Sequence, residues 1–234
     1  MQNGFGHILH IFHMAYLPDK KTETEYSMKL NEKKSILLSE TIYYNTNKKS
    51  DFRRFVREIT WIKNYTQGTS QTLLFLCIGS DRATGDCLGP LVGEMLQNTF
   101  AAKQCKTAPI IYGSLKQPVH AVNLSQTMEN IQKQYKNPFV IAIDASLGIK
   151  EHVGYITLGG GPLYPGIGVK KNLPKVGNSA ITGIVNLSGN QNNLTLQTTR
   201  LSTVLELSTF IAAAIAKAYH LEVSHINSSF ECTI

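Results

Sequence analysis

The chain has 234 residues, 42% of them hydrophobic and 17% charged, which is apolar material for one full core without calling for a second. Its formal net charge is +7, yet the basic residues are dispersed, so the charge favours solubility over a nucleic-acid surface. Cys77, Cys87, Cys105 and Cys232 show no C-x-x-C spacing, which suggests neither a zinc site nor a disulfide framework and fits a reduced, cytoplasmic protein.

Residues 1–27 match nothing downstream in texture and read as a loosely ordered leader, ahead of a single domain over 28–234. His7, His10 and His13 recur at helical spacing there, but terminal disorder outweighs a metal site. Met28 offers an alternative start. The first residues lack the basic, apolar and cleavage segments of a signal peptide, and by this reading no apolar run approaches the roughly 18 residues of a membrane span. Asp51 to Tyr65 places Phe52, Phe55, Ile59 and Ile62 on one face, predicting a basic amphipathic helix with Asp51 as N-cap.

The organising stretch follows. Leu73 to Ile78 is an uninterrupted apolar run, as in a strand covered on both faces. The turn Gly79 to Gly89 carries Asp86, and Pro90 then opens a helix through Leu91, Val92, Met95, Leu96 and Phe100. Pro109 to Tyr112 reads as a short strand, and Asn123 to Tyr135 as a helix with Gln126 completing a capping box. Phe139 to Ile143 repeats the buried strand, with Asp144 at its carboxyl end. Val153 to Leu158 is a further strand, and Gly159 to Gly177 a long loop too rich in glycine and proline for regular structure. Ala180 to Leu187 resumes a strand pattern, residues 189–199 are polar, and Leu201 to Tyr219 is a long helix. The alternation predicts an α/β fold with a mostly parallel sheet.

If the two apolar strands are parallel, Asp86 and Asp144 share the carboxyl edge where such sheets place their sites. Either aspartate alone reads as a cap or structural hydrogen bonder. Together they could share one proton, activating water and protonating a leaving amine, or hold a divalent cation; spacing alone leaves both open. Cys87, with His120 or His152 as base, suggests a cysteine hydrolase, but no local signature supports it. The glycine turn matches no phosphate-binding motif. Lys170, Lys171 and Lys175 could meet an acidic group or simply keep the loop solvated.

GSDRATGDCLGPLVG, IDASLG, GPLYPGIGVKKNLPKVG and ITGIVN, spread from about Leu73 to Asn186, resemble the YyaC sporulation-protein family. More distantly they are similar to the spore germination protease, an aspartate-dependent endopeptidase acting on small acid-soluble spore proteins. The protease's D-A-L-G-P element is matched by Asp86 to Pro90 with Cys87 departing, its A-I-D-A element by Ala142 to Ala145, and P-G-x-G-V by Pro165 to Val169. Ser146, Leu147 and the shorter chain are further departures. The resemblance implies a three-layer α/β/α sandwich like that of hydrogenase maturation proteases, with Asp86 and Asp144 as catalytic pair. It also implies substrate binding by Asp81, Gly85, Pro165, Gly166, Lys170 and Lys171, and neither metal nor cofactor. The expected partner is a protein or peptide substrate, small acid-soluble spore proteins among the candidates, with no membrane or direct nucleic-acid partner and room for a homo-oligomer. The expected place is the forespore or mother-cell cytoplasm of a spore former. The competing expectation is a non-enzymatic spore protein that keeps the fold as a binding module.

Overall fold

The computed structural model describes residues 40–104, 108–165 and 175–223, which lie in the compact unit Leu37–Ile234. The proposed leader, Gly166, Lys170 and Lys171 fall outside the described residues.

Six strands form one mixed sheet: β1 (Thr41–Asn45), β2 (Thr72–Cys77), β3 (Ile110–Tyr112), β4 (Pro138–Gly148), β5 (Tyr155–Gly160) and β6 (Ser179–Leu187). In space the order is β3-β2-β4-β6-β5-β1. The first four are mutually parallel, while β5 and β1 join antiparallel. The uninterrupted apolar runs Leu73 to Cys77 and Phe139 to Ile143 occupy the two central parallel strands and are buried, as strands covered on both faces require. The fold class is α/β, as expected.

Five helices are described: α1 (Lys49–Gly68), α2 (Leu88–Ala102), α3 (Leu124–Gln134), α4 (Asn192–Gln197) and α5 (Leu201–Ala218). Strand alternation sorts them onto two faces. Leu74, Leu76, Val140 and Ala142 pack with Leu124 and Ile131 of α3. On the other face Gly183 lies under Leu88 of α2 and Leu207 of α5, and α1 packs on α5 through the edge-to-face pair Phe52 and Phe210, 5.2 Å apart. The result is helix, sheet, helix.

Several local expectations shift for physical reasons. The N-cap of α1 is Lys48 and makes no side-chain cap bond; the Asp51 carboxylate instead accepts from the Asn45 N–H at 2.9 Å. Arg54 reaches the outward carbonyl of Tyr43 at 2.7 Å. Together these two side chains close the free edge of β1, which otherwise would present open backbone groups. The Asn123 side chain likewise turns back into its loop, accepting from His120 N–H and donating to the Pro118 carbonyl. Gln126 therefore pairs with Asn130 rather than forming a capping box. Helix α5 does reach 18 residues at mean hydropathy 1.4, the length and apolarity of a span. Its buried Val204, Leu207, Phe210, Ile211 and Ile215 show what that apolarity does here, which is to pack the core.

Candidate active site

The site begins where β2 stops. Beyond Cys77 the chain winds through Gly79 at φ 138°, with the Gly79 N–H donating to the Val119 carbonyl at 2.8 Å and the Ser80 N–H to the Asp86 carbonyl at 3.1 Å. A Cβ on Gly79 would fall on that Asp86 carbonyl, and one on Gly89 would fall on the backbone of Ile78. Only glycine lets the turn fold back so tightly against the strand end. The doubled-back segment forms a one-turn 3-10 helix, Thr84–Cys87, directly ahead of α2. Asp86 is thus carried on a wound turn whose backbone is fixed on both sides, and its side chain is half-buried.

Asp144 comes from the neighbouring strand. The expectation of a strand ending at Ile143 needs correction, because β4 continues to Gly148 and Asp144 lies inside it. It nevertheless stands at the carboxyl edge relative to β2, whose last residue Cys77 pairs with Ile143, one position before. The longer β4 is held by β6, which pairs with it from Ile141 to Gly148 across an irregularity at Ser146 and Leu147. Such bulges re-aim side chains beside sites.

The electrostatics distinguish the two carboxyls. Asp144 is only 8% exposed, and the Ala145 N–H is a hydrogen-bond donor to its Oδ1 at 2.8 Å. Burial pushes its carboxyl well above the usual carboxylate range, and the Asp86 charge pushes it further, while the Ala145 N–H pulls the other way. The Asp86 charge thus acts on Asp144 across the strand ends. Among the described residues no group of three or more His, Cys, Asp or Glu is placed to hold a metal ion.

Cys87 is buried, and burial first, then Asp86, raises its thiol, with Asp81 adding to the shift. Its Sγ–H points to the Thr84 carbonyl at 3.0 Å. A thiol held protonated and turned into its own 3-10 turn is a packed side chain, the opposite of an activated nucleophile. His152 sits far along the sheet between Tyr43 and Tyr155.

Asp81 is exposed on the turn that carries Asp86. Gly85 is buried beneath Leu196 and Thr199, where a Cβ would meet both at 2.9 Å. Helix α4, within residues expected only to be polar, is therefore a brace for the Asp86 turn. Pro165 is buried at the end of the described part of the glycine- and proline-rich loop.

Residues that sequence reasoning missed lie along the face of Asp144. Thr182 is its register partner on β6; Ser146 Oγ donates to Thr182 Oγ1 at 3.3 Å, and Thr157 on β5 pairs with Thr182 at 2.7 Å. These hydroxyls floor a groove of about 560 Å³, rimmed by Gly160 to Tyr164 of the loop and by Tyr43, Ile149 and His152. The hint in the sequence was alternation: Asp144 and Ser146 are polar positions two apart in an otherwise apolar strand, and Thr182 stands between Ile181 and Gly183.

The family model described as "Protein of unknown function (DUF1256)" matches residues 42–214. The chain is 45% identical over 151 residues to "Uncharacterized protein YyaC" of Bacillus subtilis (strain 168), an alignment covering 64% of this chain and 71% of that one. The matched region contains the whole described sheet except Thr41.

Proposed function

The chain belongs to the family described as "Protein of unknown function (DUF1256)", and on that premise we propose that it is an aspartate-dependent endopeptidase of the sporulating cell or spore. The observation that carries this reading is the pairing of carboxyls with unlike surroundings. Asp144 is buried and held toward its protonated form, with Asp86 on the adjoining strand-end turn contributing to that shift. Separating the tendencies of two neighbouring acids is how a site supplies an acid and a base at one pH.

In the proposed reaction the Asp86 carboxylate takes a proton from a water as its oxygen bonds to the scissile carbonyl carbon. Asp144, protonated, gives its proton to the leaving amine as the carbon–nitrogen bond breaks. The proton gained by Asp86 then passes to Asp144, restoring the starting state. The resemblance to the germination protease supports small acid-soluble spore proteins as substrates and the forespore or mother-cell cytoplasm as the place of action.

The test is incubation of the purified chain with an acid-soluble spore-protein pool, followed by mass spectrometry of new termini. Cleavage by the wild type that is lost in both Asp86→Asn and Asp144→Asn supports the reading. Cleavage abolished by chelator and restored by a divalent ion would make the aspartates metal ligands. A wild type that cleaves nothing would leave a binding module on a peptidase-like fold.

A further inference from the structure

The groove that starts beside Asp144 has an unusual chemistry for a protein carrying a net charge of +7. Among the described residues that line it there is no Lys, Arg, Asp or Glu. Its floor is the sheet itself, with Thr157, Thr182 and Ser146 hydroxyls bonded largely to one another and glycine at Gly148 and Gly159. Its rim holds exposed apolar and aromatic groups, with Tyr43 43%, Ile149 59% and Tyr164 54% accessible. Tyr43 is backed by His152, ring centroids 4.6 Å apart, which fixes it as a platform. At about 560 Å³ the space is in the range that buries a ligand of drug or short-peptide size.

Resting on the dyad reading above, we propose that this groove is the subsite for a short uncharged stretch of polypeptide adjoining the scissile bond. Two observations select that occupant. Thr182 of the groove floor is the register partner of Asp144, so a chain lying in the groove runs along the sheet face toward Asp144. Among the described lining residues a charged side chain entering it would give up water and meet no ion, whereas backbone amides and apolar or hydroxyl side chains meet hydroxyls, glycine backbone and aromatic faces. The subsite therefore excludes acidic and basic residues next to the cut.

The experiment separates the groove from the chemistry. Binding of two capped, fluorescent hexapeptides is measured by anisotropy to the full chain carrying Asp144→Asn. One peptide is built from Ala, Val, Ser and Tyr; the other has Glu at alternate positions. The uncharged peptide should bind at least about tenfold more tightly, the cost of about 1.4 kcal/mol for an unpaired charge at a partly dry site. Tyr164→Ala and Ile149→Glu alter exposed rim positions, so both should fold; each should weaken the uncharged peptide severalfold. Equal affinity for the two peptides, or indifference to both rim variants, overturns the proposal. Loss of a dimer on rim mutation, without peptide binding, would overturn it in favour of a second copy as occupant. Groove-dependent binding without cleavage by the wild type would sink the dyad and leave the subsite. Cleavage whose KM ignores Ile149→Glu would sink the subsite and leave the dyad.

Discussion

The two faces of the sheet are built differently. On the face toward α1, α2 and α5 the packing is closed: Leu88 and Leu207 seat on Gly183, and Phe55 and Phe210 fill the space between helices at 5.8 Å. On the opposite face α3 covers β2 and the near half of β4 with Leu124 and Ile131, and beyond Ala142 the side chains turn to Asp144, Ser146, Thr182 and Thr157, floored toward the groove. The difference teaches where this protein spends stability. The closed face supplies rigid geometry to the turn bearing Asp86, and the half-open face accepts a buried carboxyl and unfilled volume, features that persist only on a stiff scaffold.

The largest expected effect is at the strand ends, where the two faces meet. Asp86→Asn and Asp144→Asn should each lower peptide cleavage by at least about 10²–10⁴-fold, the usual worth of a positioned acid or base, because an amide can neither accept nor release the proton. Circular dichroism and melting should show the fold intact in both. A single variant retaining full activity would remove the pair from the chemistry.

Adding one methyl group at three glycines should give graded effects on stability. Gly79→Ala meets the Asp86 carbonyl at a φ of 138°, so strain and overpacking together should cost about 2–6 kcal/mol. Gly154→Ala, at φ 88° with nothing within 4 Å, should cost about 1–2 kcal/mol from strain alone. Gly68→Ala, on open space at the end of α1, should be neutral or stabilise by up to about 1 kcal/mol. Urea titration checks the order. Equal effects at Gly79 and Gly154 would mean the turn relaxes, and the rigidity assigned to it would fall.

A smaller effect should distinguish the buried carboxyl by pH. The folded protein holds Asp144 above its unfolded pKa. Its favourable contribution is therefore fully present below the ordinary carboxylate value of about 4 and is lost as pH rises through the folded value. Asp144→Asn has no such loss. The melting temperature of the variant relative to wild type should rise from about pH 4 up to the folded value of Asp144 and level off above it. A constant difference across that range would mean the carboxyl titrates normally.

How much of this was legible depended on whether one stretch of sequence held the signal. The central strands and the edge shared by Asp86 and Asp144 followed from two apolar runs each leading to an aspartate, since a buried parallel strand needs that composition. Strand β1, the sequence TIYYN, went unread: its β-branched and aromatic residues were the only cue, and five residues at an edge carry little pattern. The 3-10 turn was hidden in a loop reading because its cause is backbone contact at Gly79 and Gly89, which no periodicity reports. In α5 Leu205 is exposed while Leu207 meets the core; a helix apolar nearly all round does not announce its buried side. The hydroxyl floor needed the register that sets Thr182 beside Asp144 and Thr157 beside Thr182, a pairing of residues 25 or more apart in sequence.

The smallest expected effect is at Cys87, which belongs by sequence to the catalytic turn and by environment to the closed face. Its thiol is raised by burial and by Asp86, so at neutral pH it is neutral and serves as a small apolar group at the start of α2. Cys87→Ala removes one sulfur and its weak bond to Thr84, for which about 1 kcal/mol is a fair cost; that corresponds to about 2–4 °C in melting temperature for a chain of this size. Alanine is also the residue that the germination protease's D-A-L-G-P element carries at the matching position. Cleavage by Cys87→Ala should therefore match wild type, and thiol-alkylating reagents should act slowly on the native protein. Abolished cleavage in Cys87→Ala, alongside full activity in Asp144→Asn, would make sulfur the nucleophile and move the site from the open face to the closed one.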